Sequence, residues 1–433
     1  MKMIIIKNGH VVDPKNKIDE VCTVVIKDGV IESIIKGNKA LEDVVNNVAD
    51  YEIIDATDKY IFPGFIDLHV HLREPGFEHK ETIKTGSMAA AKGGFTTICP
   101  MPNTKPATDS PQMVKWIMDK AKEVSPVNIV PVGAVTLGQE GTTVTDIEGM
   151  VKEGALAISE DGKSVMDSAV YAKAMKEAAR LGIVVLAHCE DKNLVRGGVA
   201  NAGAFADKIG VNGITNQVED IIVARDILLA KETGAKLHLC HCSTKDSVKM
   251  VELAKKEGLF VTAEVCPHHF TLTTEDIPCD DANYKMNPPL REREDVDALK
   301  EGLYSGVMGC ISTDHAPHSA EEKALGFAKA PFGITGLETA FALSYTELVK
   351  KGKLSLLDLA DRMSLTPAKV LGIDKGHLSK GAVADLVICD IDTEYAINSE
   401  EFVSMGKNTP FNNYKVYGTI EKTLVSGKVV YDR

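Results

Sequence analysis

Two histidines two residues apart, His69 and His71, close the apolar run FIDLHVH. On an extended segment such residues project to the same face, so both imidazoles can reach one ion. Four further ligand types each follow a short apolar run: Asp161 in ISED, His188 in VVLAH, His241 in LHLCH and Asp314 in ISTD. Neutral imidazole with carboxylate oxygen suits Zn²⁺. Asp161 offers a carboxylate able to bridge two ions, with Gly162 permitting a sharp turn; Glu160 is the rival ligand, and spacing does not separate the two. Asp314 can touch a metal and accept a proton from a metal-activated water. A metal that acidifies water and polarises a carbonyl needs no nucleophilic side chain, so the set points to metal-assisted C–N hydrolysis.

These residues need elements to bring them together. From about residue 64 to 371 short β-rich runs alternate with helix-period stretches, the pattern of βα units around a parallel sheet. Eight strands are predicted over residues 61–68, 95–99, 128–134, 155–159, 183–187, 236–240, 260–265 and 309–312. Among the intervening helices are 110–124, 168–181, 217–233 and 244–257, with Asp109, Asp167 and Thr244 at N-cap positions. The expected fold is α/β, a (β/α)8 TIM-like barrel over residues 61–374. The six ligands then fall at the carboxyl ends of strands one, four, five, six and eight, the rim where barrel active sites form. Both chain ends read differently. Residues 4–7, 21–27 and 30–35, with Lys27-Asp28-Gly29 as a hairpin turn, are strand-like, as are 385–390 and 418–431. Residues 1–60 and 375–433 are expected to combine into a small β-sandwich domain.

At 433 residues, 44% apolar and 26% charged, the chain has ample material for a core and no apolar run near the roughly 18 residues of a membrane span. Lys7 interrupts the only N-terminal apolar run before it reaches signal-peptide length, so a soluble, cytoplasmic protein is expected. A net charge of −13, with basic residues interspersed among acidic ones, argues against a nucleic-acid partner. Nine cysteines without a framework fit reduced thiols. Cys240 and Cys242 flank His241; on a strand they would face away from its side and pack outside the barrel wall.

The strings DLHVHLREPG from Asp67, MPNT from Met101, EDG from Glu160, HCED from His188, HCSTKDS from His241, MNPPLRE from Met286, STDHAPH from Ser312 and APFGITGLET from Ala330 resemble dihydroorotases. They resemble the bacterial type I form, within the amidohydrolase superfamily, along nearly the whole chain. The resemblance implies reversible cyclisation of N-carbamoyl-L-aspartate to L-dihydroorotate with loss of water, the third step of pyrimidine synthesis. It implies one or two zinc ions held by His69, His71, Asp161, His188, His241 and Asp314, with Asp161 bridging and Asp314 as acid/base. It further implies that Arg73, Asn103 and His318 hold the substrate's α-carboxylate, that Asn287 binds its ring, and that backbone around Pro331, Phe332 and Gly333 completes the pocket. The family is compatible with a homodimer and with association with aspartate carbamoyltransferase.

Other histidines carry blander readings. His268 and His269 are expected in supporting or structural roles, His315 in packing or hydrogen bonding, and His10, His79, His238 and His377 outside any ligand context. Arg291 and Arg293 read as a solvated charged loop. Allantoinases and dihydropyrimidinases share the histidines but commonly bridge their metals with a carboxylated lysine. Strand four holds no lysine, and Lys163 lies beyond its expected end. A non-catalytic relative kept for partner binding should have lost ligands, and all six remain.

Overall fold

The computed structural model describes residues 3–37 and 51–433. Strands from the N-terminal part are β1 (Met3–Asp13), β2 (Ile18–Lys27), β3 (Val30–Lys36), β4 (Tyr51–Asp55) and β5 (Tyr60–Pro63). Barrel strands are β6 (Phe65–Val70), β7 (Phe95–Pro100), β8 (Asn128–Ile129), β9 (Val132–Ala134), β10 (Ala157–Ser159) and β11 (Val184–Ala187). An excursion after β11 contains the short pair β12 (Ala200–Asn201) and β13 (Gly213–Ile214). The barrel resumes with β14 (Lys236–Leu239), β15 (Val261–Val265) and β16 (Cys310–Ile311). The C-terminal part adds β17 (Leu386–Ala396), β18 (Lys415–Val425) and β19 (Lys428–Asp432).

All barrel pairings are parallel, in the orders β6-β7-β8 and β9-β10-β11-β14-β15-β16. The ring closes where Val70 bridges His315 in parallel and His71 N–H donates to His315 O at 2.8 Å. Helices Ile83–Lys92, Pro111–Val124, Ile147–Lys152, Ser168–Leu181, Gln217–Thr233, Lys245–Lys256 and Arg293–Ser305 follow successive strands, and helical residues 340–350 and 356–371 follow the last. The expected barrel is therefore present. Asp167 and Thr244 cap their helices by accepting backbone N–H bonds from Ala169, Val170 and Ser247. The cap at 109–110 is Ser110, with Pro111 in the first turn, while Asp109 accepts from Gly138 N–H at 2.7 Å.

Two expected strands are broken. The run 61–68 splits at Gly64: Tyr60–Pro63 pairs antiparallel with β17, and Phe65–Val70 pairs with β7. A Cβ at Gly64 would meet Thr96 Oγ1 at 2.2 Å, so only glycine lets the chain change sheets here. The run 128–134 divides into β8 and β9 around Pro131, which has no N–H for a ladder.

The terminal strands form one eight-stranded sheet in the order β19-β18-β17-β5-β1-β2-β3, with β4 paired to β1 off this path. β1 pairs β4 along its first half and β5 along its second, with a register shift between Ile6 and Gly9. The branched sheet encloses its own apolar core, including Ile6, Val24, Ile26, Ile61, Leu386 and Leu424. Phe341 joins this unit to the barrel, stacking on Phe65 at 5.0 Å and meeting Phe62 edge-on at 5.6 Å. Among the described residues no helix is long and apolar enough to cross a membrane.

Candidate metal-dependent active site

The six ligand candidates meet at the carboxyl ends of the barrel strands. His69 lies in β6 and His71 just beyond it; Asp161, His188, His241 and Asp314 follow β10, β11, β14 and β16. His241 and Asp314 have φ of 35° and 47°, and Arg73 has φ of 61°. Left-handed backbone costs non-glycine residues roughly 1–2 kcal/mol each, and such strain collects where a site demands a side-chain direction.

Asp161 is the centre of the cluster. Its Oδ1 lies 3.2 Å from His69 Nε2, 3.3 Å from His188 Nδ1 and 3.8 Å from His241 Nε2, and its Oδ2 lies 3.7 Å from His71 Nε2. Asp314 Oδ1 lies 3.1 Å from His71 Nε2 and 3.6 Å from His69 Nε2, and His188 Nδ1 faces His241 Nε2 at 3.0 Å. One carboxylate thus joins a group of His69, His71 and Asp314 to a pair of His188 and His241. Atoms about 2.1 Å from one ion at tetrahedral angles stand about 3.4 Å apart, so these separations suit ligands of one ion or of two sharing Asp161. Both ring nitrogens of His69 are buried with no hydrogen-bond partner among the described residues, and Nε2 is the one that faces Asp161 and Asp314.

Glu160, the rival to Asp161, is turned away: its carboxylate accepts from Thr136 N–H at 3.0 Å and from the Thr136 hydroxyl. Lys163 is exposed. Asp161 alone of the three presents its charge to the histidines. Burial opposes ionisation of Asp161 and Asp314, yet facing imidazoles hold both carboxyls below the ordinary range. Burial likewise opposes charge on His69 and His188, but the Asp161 carboxylate holds both imidazoles above theirs.

A cavity of about 180 Å³ opens over this cluster, lined also by Arg73, Asn103, Asn287, Phe332 and Gly333. His318 stands behind it, its Nε2 2.8 Å from Phe332 O and 3.2 Å from Arg73 Nη2. Burial, with Arg73, Lys80 and Lys323 nearby, pulls His318 down to about 3, so the ring is neutral. The short contact to Phe332 O requires the proton on Nε2. Arg73 Nε donates to Pro317 O at 3.2 Å and Nη2 lies against His318, while the guanidinium lines the cavity. Asn103 receives His71 Nδ1 at its Oδ1 (2.9 Å) and donates to Asp161 Oδ2 (3.0 Å), so in this structure it braces two ligands. Asn287 donates to Glu190.

Sequence reasoning missed the supports beneath the cluster. Glu264 is completely buried and faces His69 Nδ1 at 3.4 Å, while accepting from His238 Nε2 (2.9 Å), His241 N–H (3.2 Å) and Ser312 Oγ (2.6 Å). Asp67 Oδ1 accepts the N–H groups of both His69 and Thr313 at 3.1 Å, tying strand one to strand eight. An acid inside an apolar strand run, as in VTAEV and FIDLHV, was the available signal. His238 is therefore a support rather than a residue without context. His269 Nε2 donates to Pro288 O at 2.9 Å, and His315 Nδ1 accepts from Gly336 N–H at 3.1 Å, both structural roles.

Two expectations fail outright. Cys240 does not pack outside the wall: its ligand atom lies within 4.8 Å of those of His69 and Glu264. β14 ends at Leu239 and His241 is left-handed, so strand alternation no longer applies there. Arg291 is not solvated but 2% exposed, bonded to Ser243 Oγ (3.0 Å), Asn201 Oδ1 (2.9 Å) and Ile214 O (3.1 Å), whereas Arg293 is exposed. Arg291 locks the loops after three strands together.

The barrel, the branched terminal sheet and the carboxylate-linked histidines define a cyclic amidohydrolase of the metal-dependent amidohydrolase superfamily. Residues 284–431 match the family model "Amidohydrolase family". The fold is shared with the L-hydantoinase (dihydropyrimidinase) from Arthrobacter aurescens, at a TM-score of 0.88 and 29% identity over 99% of this chain and 96% of that one. It is also shared with the D-hydantoinase (dihydropyrimidinase) from Thermus sp., at 0.84 and 27% over 99% and 95%. Sequence similarity is sharper. Residues 58–247 match the model "Dihydro-orotase-like". The chain is 48% identical to the dihydroorotase of Bacillus cytotoxicus over 99% of this chain and 98% of that protein. The figures are 47% over 94% and 97% for Staphylococcus epidermidis, and 50% over 89% and 90% for Bacillus caldolyticus. The chain belongs to the dihydroorotase family.

Proposed function

We propose that this cavity carries out the reversible, zinc-dependent interconversion of N-carbamoyl-L-aspartate and L-dihydroorotate, with the six converging residues as metal ligands and Arg73 as the anchor for the substrate carboxylate. The observation that carries the reading is the Arg73 guanidinium lining the cavity whose floor is the Asp161-centred cluster. Hydantoin and dihydrouracil have no carboxylate for that fork.

Zinc bound by these residues would acidify a water and polarise the reacting carbonyl. The chain's own residues do the rest. Arg73 holds the carboxylate and so orients the ring, while His318 packs behind it against Phe332 O. Asp314 is ionised and turns Oδ1 toward His71 and His69, leaving Oδ2 to take the proton of the attacking water. In the ring-opening direction that proton passes to the departing ring nitrogen as the C–N bond breaks; ring closure returns it along the same route with release of water. Asn103 keeps His71 and Asp161 in register.

The test is a side-by-side assay of the metal-loaded chain with dihydroorotate, allantoin, hydantoin and dihydrouracil, with metal analysis of the same sample. Turnover of dihydroorotate alone is expected. Turnover confined to any of the other three would overturn the assignment.

A further inference from the structure

One side of the cavity is made by two chain segments, one through Ala316, with His318 behind it, and one through Phe332 and Gly333. They run closely together: Ala316 N–H donates to Ile334 O at 2.8 Å, and a Cβ at Gly333 would meet Ala316 Cβ at 2.6 Å. Neither belongs to a regular strand: one isolated parallel bridge, His315 to Ile334, joins them, and side chains add the remaining ties.

Lys323 Nζ donates to Pro331 O at 3.1 Å and Gly333 O at 2.9 Å, and one residue from outside the barrel bonds both segments at once. Asn408 lies between β17 and β18 and is 4% exposed. Its Oδ1 accepts His318 N–H at 3.1 Å, and its Nδ2 donates to Ala316 O at 3.2 Å and Gly333 O at 3.0 Å. Its backbone O accepts Thr335 N–H at 2.9 Å. Both amide hydrogens and the amide oxygen are thus spent on the two wall segments. The neighbouring chain is equally tight, since a Cβ at Gly406 would meet Pro317 Cβ at 2.7 Å.

We infer that Asn408 is a positioning residue for substrate binding, a clamp from the C-terminal segment that fixes the distance between the His318 wall and the Phe332–Gly333 wall. It touches neither the ligand cluster nor the cavity. It acts through His318, whose ring stands between Arg73 and Phe332 O, and through the Gly333 carbonyl. Loss of the amide frees the Ala316 carbonyl and the His318 N–H and leaves Gly333 O to Lys323 Nζ alone, and misplacement by even about 1 Å is expensive for a bound substrate. The inference rests on the functional reading above, because it assumes that the substrate carboxylate sits against Arg73.

Asn408→Ala and the milder Asn408→Ser test it, compared with the wild-type chain by steady-state kinetics on dihydroorotate, metal content and thermal unfolding. KM should rise roughly tenfold, with kcat within about threefold and metal content unchanged, because binding geometry and not the ligand cluster is disturbed. A merely structural asparagine would lower kcat in step with the folded fraction and leave KM at the wild-type value. That result in the variants that fold would overturn the inference. Failure of the wild-type chain to open dihydroorotate would instead strike the functional reading, and the same KM comparison is then made with whichever cyclic amide it hydrolyses.

Discussion

Glu264 Oε1 stands 3.4 Å from His69 Nδ1, on the opposite side of the imidazole from Asp161. The ring is held between two buried carboxylates, one belonging to the ligand cluster and one beneath it. A carboxylate behind a ligating histidine fixes the tautomer and raises the ring's basicity.

Glu264→Gln should therefore retain the barrel but weaken metal binding or turnover by roughly 10- to 100-fold, the usual cost of losing such a partner. Competition with a chromophoric chelator, beside a thermal melt, measures it. Wild-type metal affinity in a folded variant would remove Glu264 from the support.

Asp314→Ala removes the proposed proton carrier without touching core volume. Turnover should fall at least roughly a hundredfold with the fold intact. Circular dichroism and single-turnover kinetics decide; near-normal turnover in the folded variant is incompatible with the proton route.

Arg73→Lys replaces a fork with a point charge. KM should rise about tenfold while kcat changes little, since one of two charge-assisted bonds to the carboxylate is lost. An unchanged KM counts against Arg73 as the anchor.

Metal uptake should release protons. Burial works against charge on His69 and His188, yet Asp161 keeps both above the ordinary histidine range in the metal-free chain. A ligating imidazole must be neutral, so binding expels about one or two protons and affinity weakens as pH falls below the raised values. Asp161 and Asp314 are already ionised and contribute none. Titration calorimetry in buffers of different ionisation enthalpy counts the protons, and buffer-independent heats would refute the assignment.

Much of this was legible because the ligands follow strands: apolar runs ending in His or Asp mark the barrel rim, and helix periods between them mark the outer ring. What escaped has physical causes. Gly64 and Pro131 break strands through local backbone chemistry that an apolar pattern averages over. Cys240 was misjudged because period two was carried past the strand's end. Arg291, Glu264 and Asp67 are ionisable side chains buried by partners that include residues distant in the chain, and composition alone assigns such residues to solvent. Asp161 against Glu160 was open on spacing and is separated only by the Thr136 contacts that occupy Glu160.

The branched sheet also imposes an order on biosynthesis. β5 emerges from the ribosome before the barrel but finds its partner, β17, only some three hundred residues later. The catalytic cluster needs nothing beyond Asp314, whereas the walls around it await Asn408. A chain cut short ahead of Asn408 would thus keep every ligand candidate and the Arg73 anchor yet lose the one side chain that joins Ala316 and His318 to Gly333.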